Sequence, residues 1–270
     1  MDVSSLLQAC ALPNPEAEIL LAYATDRERT WLFAHPEAAV TLKCTQLFRA
    51  CARRRERGEP IAYITGTKEF YGRVFSVDRR VLIPRPATEG LIELAKDFLA
   101  GGKEEIREAD AGIVAVAKKF GAMEGLRTVV DVGTGSGCIA VTLKLEMPAL
   151  HVIATDNSRG ALAKAGENAR RLGADIDVRC GRFLEPVGRM AEPFVVVANP
   201  PYLAKPPEDG RRPGADVPDG LRYEPAGALF ADEDGAVALR TIYTQASRNP
   251  SCRGIVLECP ASLLGLLTEQ

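Results

Sequence analysis

The chain has 270 residues, of which 46% are hydrophobic and 26% are charged, a composition typical of a globular protein with a large core and two domains. Its net charge of -2 at pH 7 argues against a protein that mainly coats nucleic acid, so we expect no stable nucleic-acid binding. No apolar run approaches the roughly 18 residues of a membrane span, and residues 1–5 lack the features of a signal peptide, which predicts a cytoplasmic protein without a membrane partner.

The cysteine pattern predicts reduced thiols and no metal site. The seven cysteines are odd in number and scattered, and they include no Cys-x-x-Cys pair. With only two histidines in the chain, no plausible set of zinc ligands remains.

The first part of the chain, to about Gly58, has apolar residues at helical spacing, which predicts a small all-helical domain over residues 1–57. Its last apolar stripe runs into the arginines Arg53, Arg54, Arg55 and Arg57. Arginines late in a helix suit the helix dipole, and Gly58 is a natural stop. Capping therefore explains these arginines about as well as a partner-binding surface does.

A connector is predicted over residues 58–83. Residues 69–78 are typical of a short hairpin that turns near Gly72. The prolines of residues 81–86 then keep the chain extended until the next helix begins.

Beyond the connector we expect one α/β domain over residues 84–270. It begins with a helix from about Thr88 to Leu99, and residues 101–125 predict an extension of that helix and a second helical piece. From Arg127 onward strands alternate with helices, which indicates a parallel sheet covered on both faces. The expected strands are residues 128–132, 152–155, 176–180, 194–198 and 254–258.

A glycine-rich loop follows the first of these strands. Asp131-Val-Gly-Thr-Gly-Ser-Gly137 leads into an apolar helix, and its glycines let the backbone approach a ligand at the helix N-terminus. The second strand ends at Asp156, where a carboxylate can accept both hydroxyl hydrogens of a ribose. The alternative is a packing turn with a capping aspartate. A dinucleotide-binding dehydrogenase is disfavoured, because it requires Gly-x-Gly-x-x-Gly.

The fourth strand stops abruptly at Asn199-Pro200-Pro201-Tyr202, because two prolines cannot continue a ladder. Ligands of an open α/β sheet bind beyond the carboxyl ends of the strands, so we expect Asn199 and Tyr202 in a ligand-binding crevice. The alternative is a tight turn over which Tyr202 packs. The polar residues 203–222 that follow predict a lid over the site.

Taken in order, these motifs resemble a class I S-adenosylmethionine-dependent methyltransferase. The resemblance is closer still to the HemK/PrmC family of protein-(glutamine-N5) methyltransferases, and it runs from about Glu16 to Glu258. That family methylates the glutamine of the Gly-Gly-Gln loop in peptide-chain release factors. The motifs specific to that family are Gly58-Glu-Pro-Ile-Ala-Tyr-Ile-Thr-Gly66, Glu69-Phe-Tyr-Gly72, Val81-Leu-Ile-Pro-Arg-Pro86, Thr88-Glu89 and Tyr223-Glu-Pro-Ala-Gly-Ala-Leu229.

The resemblance implies a Rossmann-like parallel sheet, S-adenosyl-L-methionine as the cofactor, and release factors as protein partners. It assigns catalysis to Asn199, Pro200 and Tyr202, with Pro201 joining them in substrate binding. Phe183, after the third strand, is the residue expected to stack on the adenine. The residues that the resemblance assigns to the cofactor are Gly133, Thr134, Gly135, Ser136, Gly137, Asp156, Phe183 and Asn199.

The implied reaction explains why the Asn-Pro-Pro-Tyr motif suits an amide substrate. An amide nitrogen is a poor nucleophile because its lone pair is delocalised into the carbonyl, so the site must hold the NH2 group in line with the methyl donor. Asn199 through its side-chain oxygen and Pro200 through its backbone carbonyl can each accept one amide hydrogen. The proton can leave after transfer, so no strong base is needed, and Tyr202 supplies an aromatic wall.

Three features depart from the family pattern. Arg182 stands where many relatives carry an acid, which leaves a side-chain contact to the adenine edge unassigned, and Ala87 replaces a glutamate. Class I methyltransferases usually finish with two further strands, numbered 6 and 7 in that fold, whereas this chain stops at Gln270. We therefore expect these two strands to be absent and residues 254–258 to form an unpaired sheet edge, on a monomer or a weakly self-associating protein.

The sequence leaves two other functions open. An enzyme that methylates an exocyclic amine of DNA or RNA, adenine N6 or guanine N2, would use the same Asn-Pro-Pro-Tyr geometry on a flipped base. The net charge and the family-specific connector argue against it. The second is an inactive cofactor-binding scaffold subunit, which the expected absence of the last strands favours and the intact motif at residues 199–202 disfavours.

Overall fold

The structure, a computed structural model, describes residues 1–110, 112–188, 190–204, 219–231 and 235–268. Residues 1–67 and the 3-10 helix Asp219–Tyr223 form one unit, and a second unit starts at Lys68. Residues 205–218, which include most of the predicted lid, lie outside the described residues. No helix in the described ranges is long and apolar enough to span a bilayer.

The N-terminal unit is helical, as the spacing of its apolar residues predicts. Its helices are α1 (Val3–Gln8), α2 (Asn14–Thr25), α3 (Arg29–Ala34), α4 (Leu42–Glu56) and α5 (Ile61–Thr65). The Thr41 side chain caps α4 by accepting a hydrogen bond from the backbone N of Cys44. Buried apolar side chains from several helices, among them Leu20, Phe48 and Ile64, form the core. Because Ile64 belongs to α5, this core extends beyond residue 57.

The arginines near the end of α4 have different surroundings. Arg54 donates hydrogen bonds to Glu59 through Nε at 2.8 Å and through Nη2 at 3.0 Å. Glu59 is buried, so Arg54 is needed to balance its charge inside the helical unit. Arg53, Arg54 and Arg57 are all exposed, with 44% of the Arg54 side chain accessible, but Arg54 is already paired with Glu59.

The second unit carries the predicted hairpin and a seven-stranded sheet. The hairpin pairs β1 (Thr67–Phe70) with β2 (Arg73–Ser76) on either side of Gly72, which has φ of +69°. The strands of the large sheet are β3 (Glu105–Asp110), β4 (Ile113–Lys119), β5 (Thr128–Val132), β6 (His151–Asp156), β7 (Asp177–Cys180), β8 (Phe194–Ala198) and β9 (Cys252–Pro260). Their order is β3-β4-β9-β8-β5-β6-β7, and β4 runs antiparallel to both of its neighbours while β5 to β9 are parallel.

Hydrophobic clusters lie on both faces of the sheet. The helices of this unit are α6 (Ala87–Gly101), α7 (Cys138–Glu146), α8 (Arg159–Leu172), α9 (Ala226–Leu229), α10 (Val237–Ser247) and α11 (Gly265–Thr268). Val129 of β5 belongs to the cluster that contains Leu91 of α6, whereas the next residue, Val130, belongs to the cluster that contains Leu239 of α10. The predicted α/β sheet is thus confirmed, with the carboxyl ends of β5, β6 and β8 at one edge.

The helical interpretation of residues 101–125 is wrong. α6 ends at Gly101, and the residues that follow form β3 and β4. Residues 114–117 of β4 are all buried, so the strand lacks the alternation of apolar and polar positions that identifies a half-exposed strand. A short buried run that contains alanines cannot be distinguished from a helix by its pattern alone.

The expectation that residues 254–258 form an unpaired edge is also wrong. β4 pairs with β9 along its length, with Ala115 opposite Glu258, so β9 lies inside the sheet. Strands 6 and 7 of the class I fold were expected to be missing from the side of the sheet next to β9. That side is occupied by the β3–β4 hairpin, which precedes β5 in the sequence. The outer strand is β3, whose Glu105 and Arg107 place charges along the exposed edge, as expected for protection against edge-to-edge pairing.

Candidate active site

A cavity of about 300 Å³ lies at the carboxyl ends of β5, β6 and β8. This is the edge at which an open parallel sheet binds its ligands. Thr134, Ser136, Gly137 and Tyr202 do not line the cavity directly. The sequence-predicted site residues that line it are Gly133, Gly135, Asp156, Phe183, Asn199, Pro200 and Pro201.

The three glycines of the loop after β5 differ in their surroundings. Gly133 and Gly135 have φ of +76° and +55°, and a Cβ atom at Gly133 would meet no heavy atom within 4 Å. These two residues line the cavity, and the absence of side chains lets a ligand approach the backbone. The N of Gly133 already donates to the O of Thr155 at 2.8 Å and the N of Gly135 to Asp156, so the carbonyl oxygens are the backbone groups left for a ligand. At Gly137 a Cβ atom would lie 3.1 Å from the Cα of Ala165, so this glycine permits close packing of α7 against α8.

Asp156, at the end of β6, is held by the backbone on both of its oxygens. Its Oδ2 accepts from the N of Gly135 at 3.0 Å, and its Oδ1 accepts from the N of Ser158 at 2.8 Å. Burial raises the pKa of Asp156, and these backbone donors lower it. Each oxygen keeps a lone pair for a further donor, so the carboxylate can accept the hydroxyl groups of a ribose in the cavity.

Asp131, the first residue of the glycine-loop motif, has a role that the sequence reasoning left unassigned. It is fully buried, and its Oδ2 accepts from Oγ1 of Thr134 at 2.6 Å and from the N of Ala140 at 3.1 Å. Burial raises the pKa of Asp131 to about 7. Its Oδ1 accepts no hydrogen bond from any described residue. Asp131 therefore ties the glycine loop to the first turn of α7.

Asn168 of α8 joins the same loop to the hairpin. This side chain is completely buried, and its Nδ2 donates to the carbonyl oxygens of Ser136 at 2.8 Å and Ser76 at 2.9 Å. Its Oδ1 accepts from the N of Ser76 at 2.7 Å. An amide that satisfies both of its ends in this way fixes the position of the loop relative to β2.

Phe183 lies on the cavity wall in a left-handed backbone conformation, with φ of +48°. Its carbonyl oxygen accepts from Oγ1 of Thr155 at 3.2 Å, which helps to hold this uncommon conformation. The Arg182 guanidinium lies 5.9 Å from the centre of the Phe183 ring. The residue at position 182 thus contacts the aromatic ring that the cavity presents to a ligand.

Asn199, Tyr202 and two residues missed by the sequence analysis meet beside the cavity. Asn199 donates from Nδ2 to Oγ1 of Thr88 at 3.0 Å, and the Tyr202 hydroxyl lies 3.5 Å from Oε1 of Glu258. Burial, together with the nearby Glu258, raises the pKa of Tyr202 to about 12. Burial also raises the pKa of Glu258. Thr88 was noted only as part of a motif and Glu258 only as the end of a strand.

Among the described residues, no group of three or more histidines, cysteines, aspartates and glutamates is placed to hold a metal ion. The polar side chains described above at this site carry amide, hydroxyl and carboxyl groups. The cavity of about 300 Å³ places hydrogen-bond acceptors beside a glycine loop that a ligand can approach closely. This arrangement suits the transfer of a group from a bound cofactor to a nitrogen atom of a substrate.

The fold and the site together define a class I methyltransferase. The sheet carries a glycine-rich loop after β5, an acid at the end of β6 and Asn-Pro-Pro-Tyr after β8. Family models agree: residues 2–66 match the PrmC N-terminal domain, and residues 106–209 match the methyltransferase small domain. Relatives at 36–38% identity over 88–89% of this chain are named release factor glutamine methyltransferase, so the chain belongs to that family, which confirms the resemblance found in the sequence.

Three relatives support this assignment. A release factor glutamine methyltransferase of Bordetella pertussis is 38% identical over 240 residues, which are 89% of this chain and 78% of the relative. The protein of the same name in Koribacter versatilis is 36% identical over 241 residues, 88% of this chain and 76% of the relative. That of Burkholderia pseudomallei is 38% identical over 248 residues, with the same two coverages.

Proposed function

We propose that this protein transfers a methyl group from S-adenosyl-L-methionine to the side-chain amide nitrogen, N5, of the glutamine in the Gly-Gly-Gln motif of peptide-chain release factors. The observation that carries the proposal is the position of Asn199. Its Nδ2 is engaged by Thr88, which leaves Oδ1 as an acceptor beside the cavity that also contains Gly135 and Asp156. The names of the three relatives support the choice of substrate.

The residues present fit the proposed cofactor. Gly133 and Gly135 offer open backbone to the amino-acid end, Asp156 offers a carboxylate to the ribose, and Phe183 offers an aromatic face to the adenine. When bound, S-adenosyl-L-methionine supplies an electrophilic methyl group on a sulfonium. A cavity of about 300 Å³ is at the lower end of the range for small-molecule sites.

The chain's own contribution is to orient the acceptor amide. Oδ1 of Asn199 and the backbone carbonyl of Pro200 accept the two hydrogens of the glutamine NH2 group, which aims the nitrogen lone pair along the remaining direction. Pro200 and Pro201 are rigid, so these acceptors lose little freedom when the substrate binds. Tyr202 does not line the cavity, so its proposed contribution is to hold the Asn-Pro-Pro-Tyr motif in place through the contact of its hydroxyl with Glu258.

The proposed partner is a release factor, and the proposed location is the cytoplasm, where release factors act.

The test is transfer of labelled methyl to a full-length release factor, to its Gly-Gly-Gln→Gly-Gly-Ala variant, and to DNA and RNA in parallel. We expect label only in the factor with an intact glutamine. Label in nucleic acid would favour the exocyclic-amine alternative, and no label anywhere, with cofactor bound, would favour the scaffold alternative.

A further inference from the structure

We propose that Arg182 binds the purine of the cofactor as a hydrogen-bond donor and thereby sets the base specificity of the site, so that a 6-oxopurine is accepted alongside adenine. This inference rests on the proposed function, because it takes Phe183 as the residue on which the base stacks. It gives a role to the arginine that departs from the family pattern, and Arg182 and Phe183 both line the cavity.

The backbone around Arg182 is held by hydrogen bonds to the end of β6. The N of Gly181 donates to the O of Asp156 at 3.0 Å, and Oγ1 of Thr155 donates to the O of Phe183 at 3.2 Å. Asp156 also supplies the carboxylate proposed to bind the ribose, so the segment that carries Arg182 is fixed next to the place of the nucleoside. The Arg182 side chain therefore leaves from a fixed point at the wall of the cavity.

Among the described residues two arginines line the cavity, and their guanidinium groups differ in their partners. Arg80 donates to Asp78 through Nε at 2.8 Å and through Nη2 at 2.6 Å. Arg182 is exposed, and its guanidinium forms no hydrogen bond or ion pair with a described residue. It lies 5.9 Å from the centre of the Phe183 ring, and stacked rings have centres about 4.5–7 Å apart. The donors of Arg182 are therefore available to a base that stacks on Phe183.

The chemistry of a guanidinium decides which atoms of a purine it can bind. It carries only N–H donors and no acceptor, and it stays charged at every pH at which the protein is folded. Adenine offers ring nitrogens as acceptors, but its exocyclic amino group only donates. Arg182 can therefore bind adenine at a ring nitrogen and gains nothing from the amino group. A 6-oxopurine carries an acceptor oxygen in place of that amino group, and arginine pairs well with the O6 and N7 atoms that guanine presents in this arrangement.

An acid at position 182 would have the opposite preference. A carboxylate only accepts hydrogen bonds, so it would bind the amino group of adenine and repel the oxygen of a 6-oxopurine. The amino and oxo groups have nearly the same size, so packing against the base does not distinguish them. A purely structural role for Arg182, such as covering the Phe183 ring, would not depend on the base at all. The ratio of the affinities for the two bases therefore tests the proposed contact directly.

The experiment measures calorimetric Kd values for S-adenosyl-L-homocysteine and S-inosyl-L-homocysteine, which carry an amino and an oxo group, respectively, on C6 of the purine. We expect wild-type protein to bind the two compounds with Kd values within about threefold of each other. Arg182→Glu should raise the ratio of the inosyl Kd to the adenosyl Kd by about tenfold, because a hydrogen bond to a charged group is gained with one base and lost with the other. Arg182→Met keeps the apolar stem but loses the donors, so it should weaken binding of both compounds.

Arg159→Glu is the matched control, because Arg159 is exposed at the start of α8, does not line the cavity, and changes the net charge by the same amount. Its ratio of Kd values should equal that of wild type. A ratio that stays at the wild-type value in Arg182→Glu, an equal change in Arg159→Glu, or unchanged Kd values in Arg182→Met would overturn the inference. Wild-type protein that binds neither compound would instead overturn the cofactor site of the proposed function, and this inference with it.

Discussion

Arg85 and Glu224 form an ion pair in which Nη2 lies 2.6 Å from Oε1, while Oε2 of the same glutamate accepts from the N of Ile83 at 3.0 Å. One carboxylate thus holds both the backbone and a side chain of the Val81–Pro86 connector. Leu82, which precedes Ile83, and Pro225, which follows Glu224, both line the cavity. The contact therefore fixes two walls of the site against each other.

The two partners of this pair should not be equally important for stability. The Arg85 side chain is 34% exposed and the Glu224 side chain only 2%. Arg85→Leu leaves the buried Glu224 carboxylate with the N of Ile83 as its one donor among the described residues, and should lower the free energy of unfolding by about 3 kcal/mol. Glu224→Gln keeps an acceptor for Ile83, and Arg85 can turn to water, so a loss of about 1 kcal/mol is expected. Urea unfolding measures both, and equal losses would contradict this asymmetry.

Asn199→Ala should abolish methyl transfer and leave cofactor binding nearly intact, because the proposed role of Asn199 is to orient the acceptor amide. Asp156→Ala should weaken cofactor binding first, because it removes the proposed ribose acceptor and the support of Gly135. Calorimetric titration with S-adenosyl-L-methionine, run beside single-turnover transfer, separates the two effects. Loss of cofactor binding in Asn199→Ala would show that its role is misassigned.

Three glycines with similar backbone conformations allow strain, packing and binding to be distinguished. Gly133, Gly137 and Gly173 have φ of +76°, +81° and +75°, so an alanine at each should cost about 1 kcal/mol in backbone strain. Gly173→Ala is the control, because its Cβ meets nothing within 4 Å and it does not line the cavity.

Gly133→Ala should match this control in urea unfolding but bind the cofactor more weakly, since Gly133 lines the cavity and the added methyl group would take up space beside a ligand. Gly137→Ala should unfold more easily than either, because its Cβ presses on Ala165. Undiminished cofactor affinity in Gly133→Ala would mean that the loop does not approach the ligand.

Asp131 predicts a dependence of stability on pH. Its folded-state pKa of about 7 lies above the ordinary 3.8, so its contribution to stability is complete below pH 3.8 and is lost as the pH rises through 7. Raising the pH from 5 to 8 should therefore lower the free energy of unfolding by a few kcal/mol through this single group, on the order of 1.4 kcal/mol per pH unit below its folded-state pKa. Asp131→Asn lacks the titration, so its stability relative to wild type should rise over the same interval. Parallel urea curves at both pH values would contradict the assignment.

The exposed arginines at the end of α4 give the helical unit a candidate contact for the substrate protein. Arg53→Glu with Arg57→Glu should weaken binding of a full-length release factor by about 1 kcal/mol per contact, with most of the loss disappearing at high salt. Methylation of a short Gly-Gly-Gln peptide should barely change. Arg54→Glu is the control: because Arg54 balances the buried Glu59, it should lower stability instead. Equal losses with the factor and the peptide would remove this surface from the interface.

The sequence predicted the parts of the site in which residue type and spacing carry the chemistry. The glycine loop, Asp156 and the residues at 199–202 each follow a strand directly, and a parallel sheet brings such positions together. Thr88 and Glu258 were not predicted as site residues, because nothing in the sequence around a buried threonine or a glutamate at the end of a strand indicates a functional site. Only the strand order shows that β9 lies beside β8 and therefore that Glu258 lies near Asn199.

The failure over residues 101–125 has a different cause. β4 is buried on both faces, so burial removed the alternation that would have identified it. No strand was therefore predicted for the side of the sheet beyond β9. The structure fills that side from an earlier part of the chain, an arrangement that no local pattern reveals.

The placement of β9 between β4 and β8 has a consequence for biosynthesis. β4 and β8 both leave the ribosome well before β9 does. Until β9 is made, the edges of β4 and β8 that will pair with it have unpaired backbone donors and acceptors. β9 must pair with both of these earlier strands rather than add to an outer edge, and non-local pairing of this kind is slow and leaves strand edges open to mispairing until it is complete.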